Sequence, residues 1–140
     1  MTAGLDQERR PSELGLLPAQ PPPLADVRTW LSAELARLGE DHLSVVLLVA
    51  NELVTNAYEH ARSPLRIGVH HLDGPCRVRV EIVDGSDENL TPGRSRFGDN
   101  RGRGLVLVDR LAHAWDVDFH HVGKTVWAEI DCGEGGIDRC

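Results

Sequence analysis

The sequence has little cysteine, and its placement excludes two common ways of stabilising a small fold. The chain of 140 residues contains three cysteines, Cys76, Cys132 and Cys140, an odd number with no Cys-x-x-Cys spacing. A disulfide framework uses an even set, and a structural zinc site uses closely spaced pairs of ligands. We therefore interpret the three side chains as reduced thiols.

Long apolar segments are absent as well. The longest nearly unbroken run, residues 43–53, contains Ser44, Asn51 and Glu52. It is far shorter than the ~20 residues that a helix needs to cross a bilayer. The first ten residues include no apolar stretch of the kind found in a secretory signal. These absences predict a cytoplasmic protein without a membrane partner.

Positive charge is the third feature in short supply. The chain has 15 Lys and Arg against 22 Asp and Glu, which gives a formal net charge of −7 and a pI near 5.4. A surface that binds DNA or RNA neutralises many phosphates with basic side chains, so direct nucleic-acid binding is disfavoured. One small anionic ligand is compatible with this charge, because a few local cations and backbone N–H groups can hold a phosphate.

What is present is the composition of one globular domain, with 41% hydrophobic and 26% charged residues. Residues 1–23 contain several prolines and no sustained helical or strand period, which predicts a flexible leader. Residues 133–140 are acidic and rich in glycine, and we interpret them as a tail. The domain itself is expected to span residues 24–132.

Hydrophobic spacing within the domain predicts the order helix, helix, strand, strand, long loop, helix, strand, strand. The helices are predicted over residues 24–38, 42–61 and 104–114, and the strands over residues 65–72, 77–83, 115–120 and 125–130. The polar segment 85–103 is longer than an ordinary connection, and such loops are usually either functional or disordered. We interpret it as a lid loop. Strands paired through short turns, with helices between the pairs, favour an α+β fold over a doubly wound parallel sheet.

Two familiar phosphate-binding motifs can be tested and excluded. Residues 123–125 read Gly-Lys-Thr like the end of a P-loop, but the glycine required five positions earlier is Asp118. Residues 102–104 read Gly-Arg-Gly like the start of a dinucleotide fingerprint, but Leu107 stands where the third glycine belongs. Neither a Walker A site nor a Rossmann site is therefore expected.

Four other segments combine polar groups with a defined local structure. In chain order they are residues 51–61 (NELVTNAYEHA), 82–86 (IVDGS), 101–105 (RGRGL) and 123–129 (GKTVWAE). Glu52 and Asn56 are separated by one helical turn, so on a helix their side chains point about 40° apart. Taken singly, each segment has an ordinary interpretation: a solvated pair, a turn-forming Asp-Gly, a glycine entry to a helix or a strand.

In this order and spacing, the four segments resemble the ATP-binding domain of the GHKL superfamily, which includes gyrase and the histidine kinases. Within it, the chain is similar to the small anti-sigma-factor-like serine/threonine kinases. The resemblance covers roughly residues 25–131. It implies a two-layer Bergerat-type sandwich, in which a mixed, mainly antiparallel sheet has its helices packed on one face. It also implies ATP and Mg²⁺ as cofactors.

The resemblance assigns roles to individual residues. Glu52 is similar to the catalytic base that orients or deprotonates the attacking hydroxyl, and Asn56 to the Mg²⁺ ligand. Asp84 looks like the acceptor for the adenine amino group, with Thr125 supporting it through a water. The other implied nucleotide-binding residues are His60, Arg101, Gly102, Arg103, Gly104 and Leu105.

The function implied by the resemblance is phosphorylation of a serine or threonine on an anti-sigma-factor antagonist. Such a protein can also sequester a sigma factor and form a homodimer. The alternative is a non-catalytic module that binds nucleotide or protein in transcriptional regulation. No segment resembles the helical hairpin that carries the phosphoacceptor of a sensor histidine kinase, so we do not expect a complete one.

Overall fold

The structure is a five-stranded sheet with three helices, over the part of the chain that it describes. The computed structural model describes residues 12–17, 21–60, 65–72, 77–84, 102–121 and 123–131, and for residues 60 and 102–104 it describes the backbone alone. The strands are β1 (Ser12–Leu16), β2 (Leu65–Leu72), β3 (Arg77–Asp84), β4 (Ala114–His120) and β5 (Gly123–Ile130). The helices are α1 (Leu24–Glu34), α2 (Glu40–His60) and α3 (Gly102–Leu111). The predicted α+β class is confirmed.

The order of the strands in the sheet is β1-β2-β3-β5-β4. Every described pairing is antiparallel, so the mixed sheet of the prediction is antiparallel throughout these strands. Between β3 and β4 the chain passes through α3 and reaches the far edge, and β5 then returns beside β3. As a result, the end of β3 and the start of β5 meet at the same end of the sheet.

Alternate residues of the strands face the helices and form the core. In β3 these are Val78, Val80 and Ile82, and Ile82 pairs with Ile67 on one side and Val126 on the other. The helices complete the core with Val27, Leu31, Val46, Val49, Ala50, Leu53, Val54, Ala57 and Val108, and Leu35, which directly follows α1, joins them. Removal of these apolar surfaces from water stabilises the two-layer arrangement.

Helix α2 is the long central element, with 21 residues. It starts at Glu40, slightly before the predicted start, and the acidic Glu40 and Asp41 in its first turn interact favourably with the helix dipole. His42 is buried, and its Nε2 donates to the carbonyl oxygen of Ile130 at 3.1 Å. The beginning of α2 is thereby joined to the end of β5.

Strand β1 is not predicted from the sequence. It lies inside residues 1–23, for which the sequence predicts a flexible leader, and its Leu16 is buried opposite Leu65 of β2. The prediction is wrong for β1, because two leucines are a weak alternation and the strand depends on β2 for its hydrogen bonds. The Tyr58 hydroxyl donates to the carbonyl of Leu17, and burial raises the pKa of Tyr58, which keeps the hydroxyl protonated. Residues 1–11 and 18–20 of the predicted leader lie outside the described residues.

The predicted lid loop and tail lie mostly outside the described residues. Helix α3 begins at Gly102, so residues 102 and 103 belong to a helix and not to the loop. Nothing tests the interpretation of residues 85–101 or of residues 133–140. In the part of the chain that the structure describes, no helix has both the length and the apolar character needed to cross a membrane.

Candidate functional site

Glu52 and Asn56 lie one turn apart in the second half of α2, as their spacing predicts. Both are partly exposed, whereas the adjacent Leu53 and Ala57 are buried in the core. Among the described residues the side chains of Glu52 and Asn56 have no hydrogen bond or ion pair. The buried neighbours hold the helix in place, so a carboxylate and an amide are presented at the rim of the core and are available to a ligand.

The direction of α2 relates this pair to one end of the sheet. The helix begins beside Ile130, at the end of β5, and its last turns lie beside Leu17, just after β1. Leu16 pairs with Leu65, and Leu65 in turn pairs with Asp84. Glu52 and Asn56 are therefore in the half of α2 that leads toward the end of β3.

Asp84 is the last residue of β3 and continues the buried row of Val78, Val80 and Ile82. The residue is only 5% exposed. A carboxylate that leaves water costs free energy unless hydrogen-bond donors surround it. Helix α2 packs against β3. Asp84 has an interaction within the protein, and because a carboxylate offers about four acceptor sites, it can accept a further hydrogen bond from a ligand amino group.

The N-terminus of α3 is the third component of the site. The helix starts at Gly102, and its first turn contains no acidic residue. The first N–H groups of a helix have no partner within the helix and carry the positive end of its dipole, so they attract a phosphate. Leu105 and Val108 are buried, and α3 packs against α2, which fixes the position of this N-terminus.

The register of β3 and β5 decides which residue lies next to Asp84. Asp84 pairs with Lys124, and Val83 pairs with Thr125. Successive side chains of a strand point to opposite faces, so Lys124 shares the face of Asp84 and Thr125 lies on the other face. There the Oγ1 atom of Thr125 is 2.8 Å from Nε2 of His120.

Gly123 is the first residue of β5 and directly precedes Lys124. Gly123 is buried and has a φ of 154°, a conformation that L side chains rarely adopt. It pairs with His120, where the hairpin between β4 and β5 closes. Lys124 follows and is half-buried at the head of a row that continues with buried Val126 and Ala128.

Comparison with known proteins identifies the family to which this fold belongs. A family model described as the histidine kinase-like ATPase domain matches residues 17–130. The chain belongs to this family. The match covers most of the chain, starts directly after β1 and finishes at the last residue of β5. A search of curated proteins found no match. Membership implies ATP binding and confirms the GHKL-type sandwich that the sequence predicts.

In this histidine kinase-like ATPase domain, the strand register bears on the position of Thr125. The resemblance implies that Thr125 supports Asp84 through a water, and the register places the Thr125 side chain on the face opposite to Asp84. Side chains alternate along β5, so an offset of one residue exchanges the two faces. The role of Thr125 stays a prediction. Lys124, which was not among the predicted site residues, belongs to the same alternating row as Val126 and Ala128 and shares the face of Asp84.

Some of the remaining predicted site residues lie in the part of the chain that the structure describes, and the others lie outside it. Helix α2 contacts both β3 and α3, so the structure brings the elements of Glu52, Asn56, Asp84 and Leu105 together. Gly102 and Gly104 lie in the first turn of α3. Arg101 and the side chains of His60 and Arg103 lie outside the described residues, and their roles stay predictions.

The face of the sheet away from the helices is polar and makes its own contacts. The Arg79 guanidinium lies 4.3 Å from the centre of the Trp127 ring. Arg79 also forms ion pairs with Glu81 at 3.6 Å and with Glu129 at 3.3 Å. Glu81 is in addition 3.3 Å from His70. These groups pair with one another, so the candidate site is the one on the helix side.

Proposed function

We propose that this histidine kinase-like ATPase domain binds ATP with Mg²⁺ between α2, the end of β3 and the N-terminus of α3. It then transfers the γ-phosphate to a serine or threonine of a partner protein. The observation that carries the proposal is the buried carboxylate of Asp84, which ends the core-facing row of β3 beneath the helix that bears Glu52 and Asn56. A few convergent polar groups at the edge of an apolar core are typical of a small-molecule site.

The set of donors and acceptors fits a magnesium nucleotide. Mg²⁺ prefers oxygen ligands and keeps several waters, so the amide oxygen of Asn56 is a sufficient protein ligand beside the phosphates. The first N–H groups of α3 would hold phosphate oxygens. Asp84 would accept a hydrogen bond from the adenine amino group. When bound, the metal ion neutralises charge on the transferred phosphoryl group.

Glu52 would serve the transfer step. The hydroxyl oxygen of the acceptor forms a bond to the γ-phosphorus. At the same time the bond from that phosphorus to the β–γ bridging oxygen breaks, and ADP leaves with the electron pair. The hydroxyl proton passes to the Glu52 carboxylate. Phosphoryl transfer needs mainly positioning and charge neutralisation from the protein, which rigid placement on α2 supplies.

The acceptor we propose is an anti-sigma-factor antagonist, with a sigma factor as the second partner, in the cytoplasm and with a homodimer as the working form. The likeness of the four sequence segments to anti-sigma-factor-like kinases supports this choice. The net charge of −7 supports a switch between partners. A phosphate adds about −1.5 to −2 charges to the antagonist, and an acidic protein then binds it less tightly. The released kinase is free to bind its other partner.

Calorimetric titration with ATP and Mg²⁺ tests the binding part of the proposal. Wild type should bind saturably, and Asn56→Ala should not, because the variant lacks the metal ligand. Asn51→Ala is the matched control, since Asn51 is a partly exposed amide on the same helix, directed about 140° away from Asn56. It should bind as wild type does. Absence of binding to wild type would refute the proposal.

Glu52→Gln separates binding from transfer. The variant keeps the size of the side chain and removes the base, so ATP binding should persist while phosphorylation falls about 10²- to 10⁴-fold. Glu40→Gln makes the same change at the exposed start of α2 and should leave the rate unchanged. A full rate in Glu52→Gln would exclude the assigned role. ATP binding without transfer by wild type would favour the non-catalytic module.

A further inference from the structure

Lys124 is a charged side chain in an unusual place. It lies directly opposite Asp84 in the register of β3 and β5. The row to which it belongs faces the helices and continues with Val126, Ala128 and Ile130, all of them buried. Lysine is seldom found in the core-facing row of a strand, because its charge is costly to remove from water. The position places a cation beside the buried carboxylate of Asp84, at the end of the core-facing row.

The ammonium group of Lys124 is close enough to contact a ligand that is hydrogen-bonded to Asp84. Side chains directly opposite each other on antiparallel strands have Cβ atoms about 4.5–5.5 Å apart. The stem of a lysine lies along apolar surface while its charged end extends beyond, and the half-buried state of Lys124 agrees with this. The next residue, Thr125, cannot substitute for it, because its hydroxyl contacts His120 on the other face.

Together, Asp84 and Lys124 present one acceptor and one donor. An ionised carboxylate only accepts hydrogen bonds, and an ammonium group only donates them. The Watson–Crick edge of adenine carries an amino donor at C6 beside an acceptor at N1. The two side chains are complementary to these two groups. Guanine in the same orientation would place its 6-oxo acceptor against the carboxylate, which disfavours it.

We propose that Lys124 is a base-reading residue of the nucleotide site. Its ammonium donates a hydrogen bond to N1 of adenine while Asp84 accepts one from the 6-amino group. The inference rests on the proposed binding of ATP and adds to it a residue that determines specificity. A hydrogen bond to a charged donor is roughly twice as strong as a neutral one, so its removal is measurable.

The test combines a change in the protein with a change of one ligand atom. Full-length wild type and Lys124→Met are titrated in Mg²⁺ with ATP and with 1-deaza-ATP, in which a C–H group replaces N1. Wild type should bind ATP about 10- to 100-fold more tightly than the analogue, the effect of one charge-assisted hydrogen bond. Lys124→Met should bind the two nucleotides within about threefold of each other, since the donor is gone.

Two further variants complete the design. Arg66→Met is the control, because it removes a cation from the exposed face of the neighbouring strand β2, and it should keep the full preference for ATP. Lys124→Gln retains a neutral donor of similar length and should show an intermediate preference. It also keeps the test valid if Lys124→Met does not fold, which a thermal melt of each variant establishes.

The outcomes separate the inference from the function on which it rests. A preference for ATP that disappears only in the Lys124 variants supports the inference. An undiminished preference in those variants, or a wild type that binds both nucleotides equally, overturns the role of Lys124 and leaves ATP binding intact. A wild type that binds neither nucleotide overturns the proposed function and the inference together.

Discussion

The two ends of the central sheet are built differently. At the end where β3 starts and β5 finishes, Arg77 donates two hydrogen bonds to Asp131, at 2.6 Å and 3.2 Å. His113 lies 3.4 Å from the same carboxylate, and His42 donates to the carbonyl oxygen of Ile130. We call this set of residues the closed end, because its polar groups bond to one another across long stretches of sequence.

The opposite end of the sheet, where β3 finishes and β5 starts, we call the site end. Its core-facing row ends with Asp84 and Lys124, and Glu52 and Asn56 lie in the half of α2 that leads toward it. Over the described residues, the polar pair on α2 has no intramolecular partner. The comparison teaches that the polar groups at one end of the sheet bond to one another, while the other end is where we propose that a ligand binds.

The largest expected effect that tests this comparison comes from the core of the closed end. Ile130 is 1% exposed, and Ile130→Ala should lower the free energy of unfolding by about 2–5 kcal/mol, the usual loss for such a core truncation. Urea unfolding measures this loss. The ATP affinity of the folded variant should be unchanged, because Ile130 lies at the other end of the sheet from Asp84.

Leu65→Ala is the matched variant at the site end. Leu65 is also 1% exposed, and it pairs with Asp84. The loss of stability should be similar, but calorimetry should in addition show weaker ATP binding, since the strand next to Asp84 loses its packing. If Ile130→Ala and Leu65→Ala changed ATP affinity equally, the two ends would not differ in the way we describe.

A smaller effect is expected at Tyr58, which joins α2 to the edge strand β1. Tyr58→Phe keeps the ring and removes the hydrogen bond to the carbonyl of Leu17. The free energy of unfolding should fall by about 0.5–1.5 kcal/mol, the net contribution of a typical hydrogen bond. Amide exchange should accelerate in β1 and not in β3, because the opening is local. Unchanged exchange in β1 would show that the bond does not hold the strand.

The smallest effect, and the one that depends on pH, is expected at Asp131. The hydrogen bond from Arg77 lowers the pKa of Asp131; the charges of Arg77, His113 and His42 act in the same direction, and burial opposes them. A carboxylate whose pKa is lower in the folded state stabilises the fold above its unfolded pKa of about 3.9. That stabilisation is lost as the pH falls through the lower, folded pKa.

Asp131→Asn removes this pH dependence. Thermal unfolding should show wild type slightly more stable near pH 7 and the two proteins converging as the pH falls below about 4. The difference is small because the side chains of Arg77 and Asp131 are 33% and 34% exposed, and water screens their attraction. Glu13→Gln, in the more exposed pair with Arg66, should have even less effect. Curves that stay parallel down to low pH would exclude this role of Asp131.

Much of the fold could be predicted from local patterns. The alternation of Val78, Val80 and Ile82 predicts β3 to within one residue, and β2 is predicted at its observed bounds. The helical spacing of apolar residues predicts α2 to within two residues at its start. Glu52 and Asn56 could be singled out for the same reason, since their relation needs only one turn of one helix.

The features that could not be predicted depend on a partner distant in the sequence. Strand β1 is weakly marked, and its pairing with β2 makes it a strand. His42 draws no attention in the sequence, yet it is buried against Ile130, 88 residues away. Arg77 and Asp131 are 54 residues apart and also meet only in the folded chain.

The amino-acid sequence by itself therefore determined the elements other than β1, their order, the α+β class and the polar residues that local spacing brings together. The spacing of apolar side chains and the chemistry of turns act over a few residues. They can therefore be interpreted without knowing which distant residues become neighbours in the folded chain. The tertiary structure alone decided the strand order β1-β2-β3-β5-β4 and the register of β3 against β5. That register places Lys124 and not Thr125 beside Asp84, because pairing between separate strands selects which alternate side chains share a face.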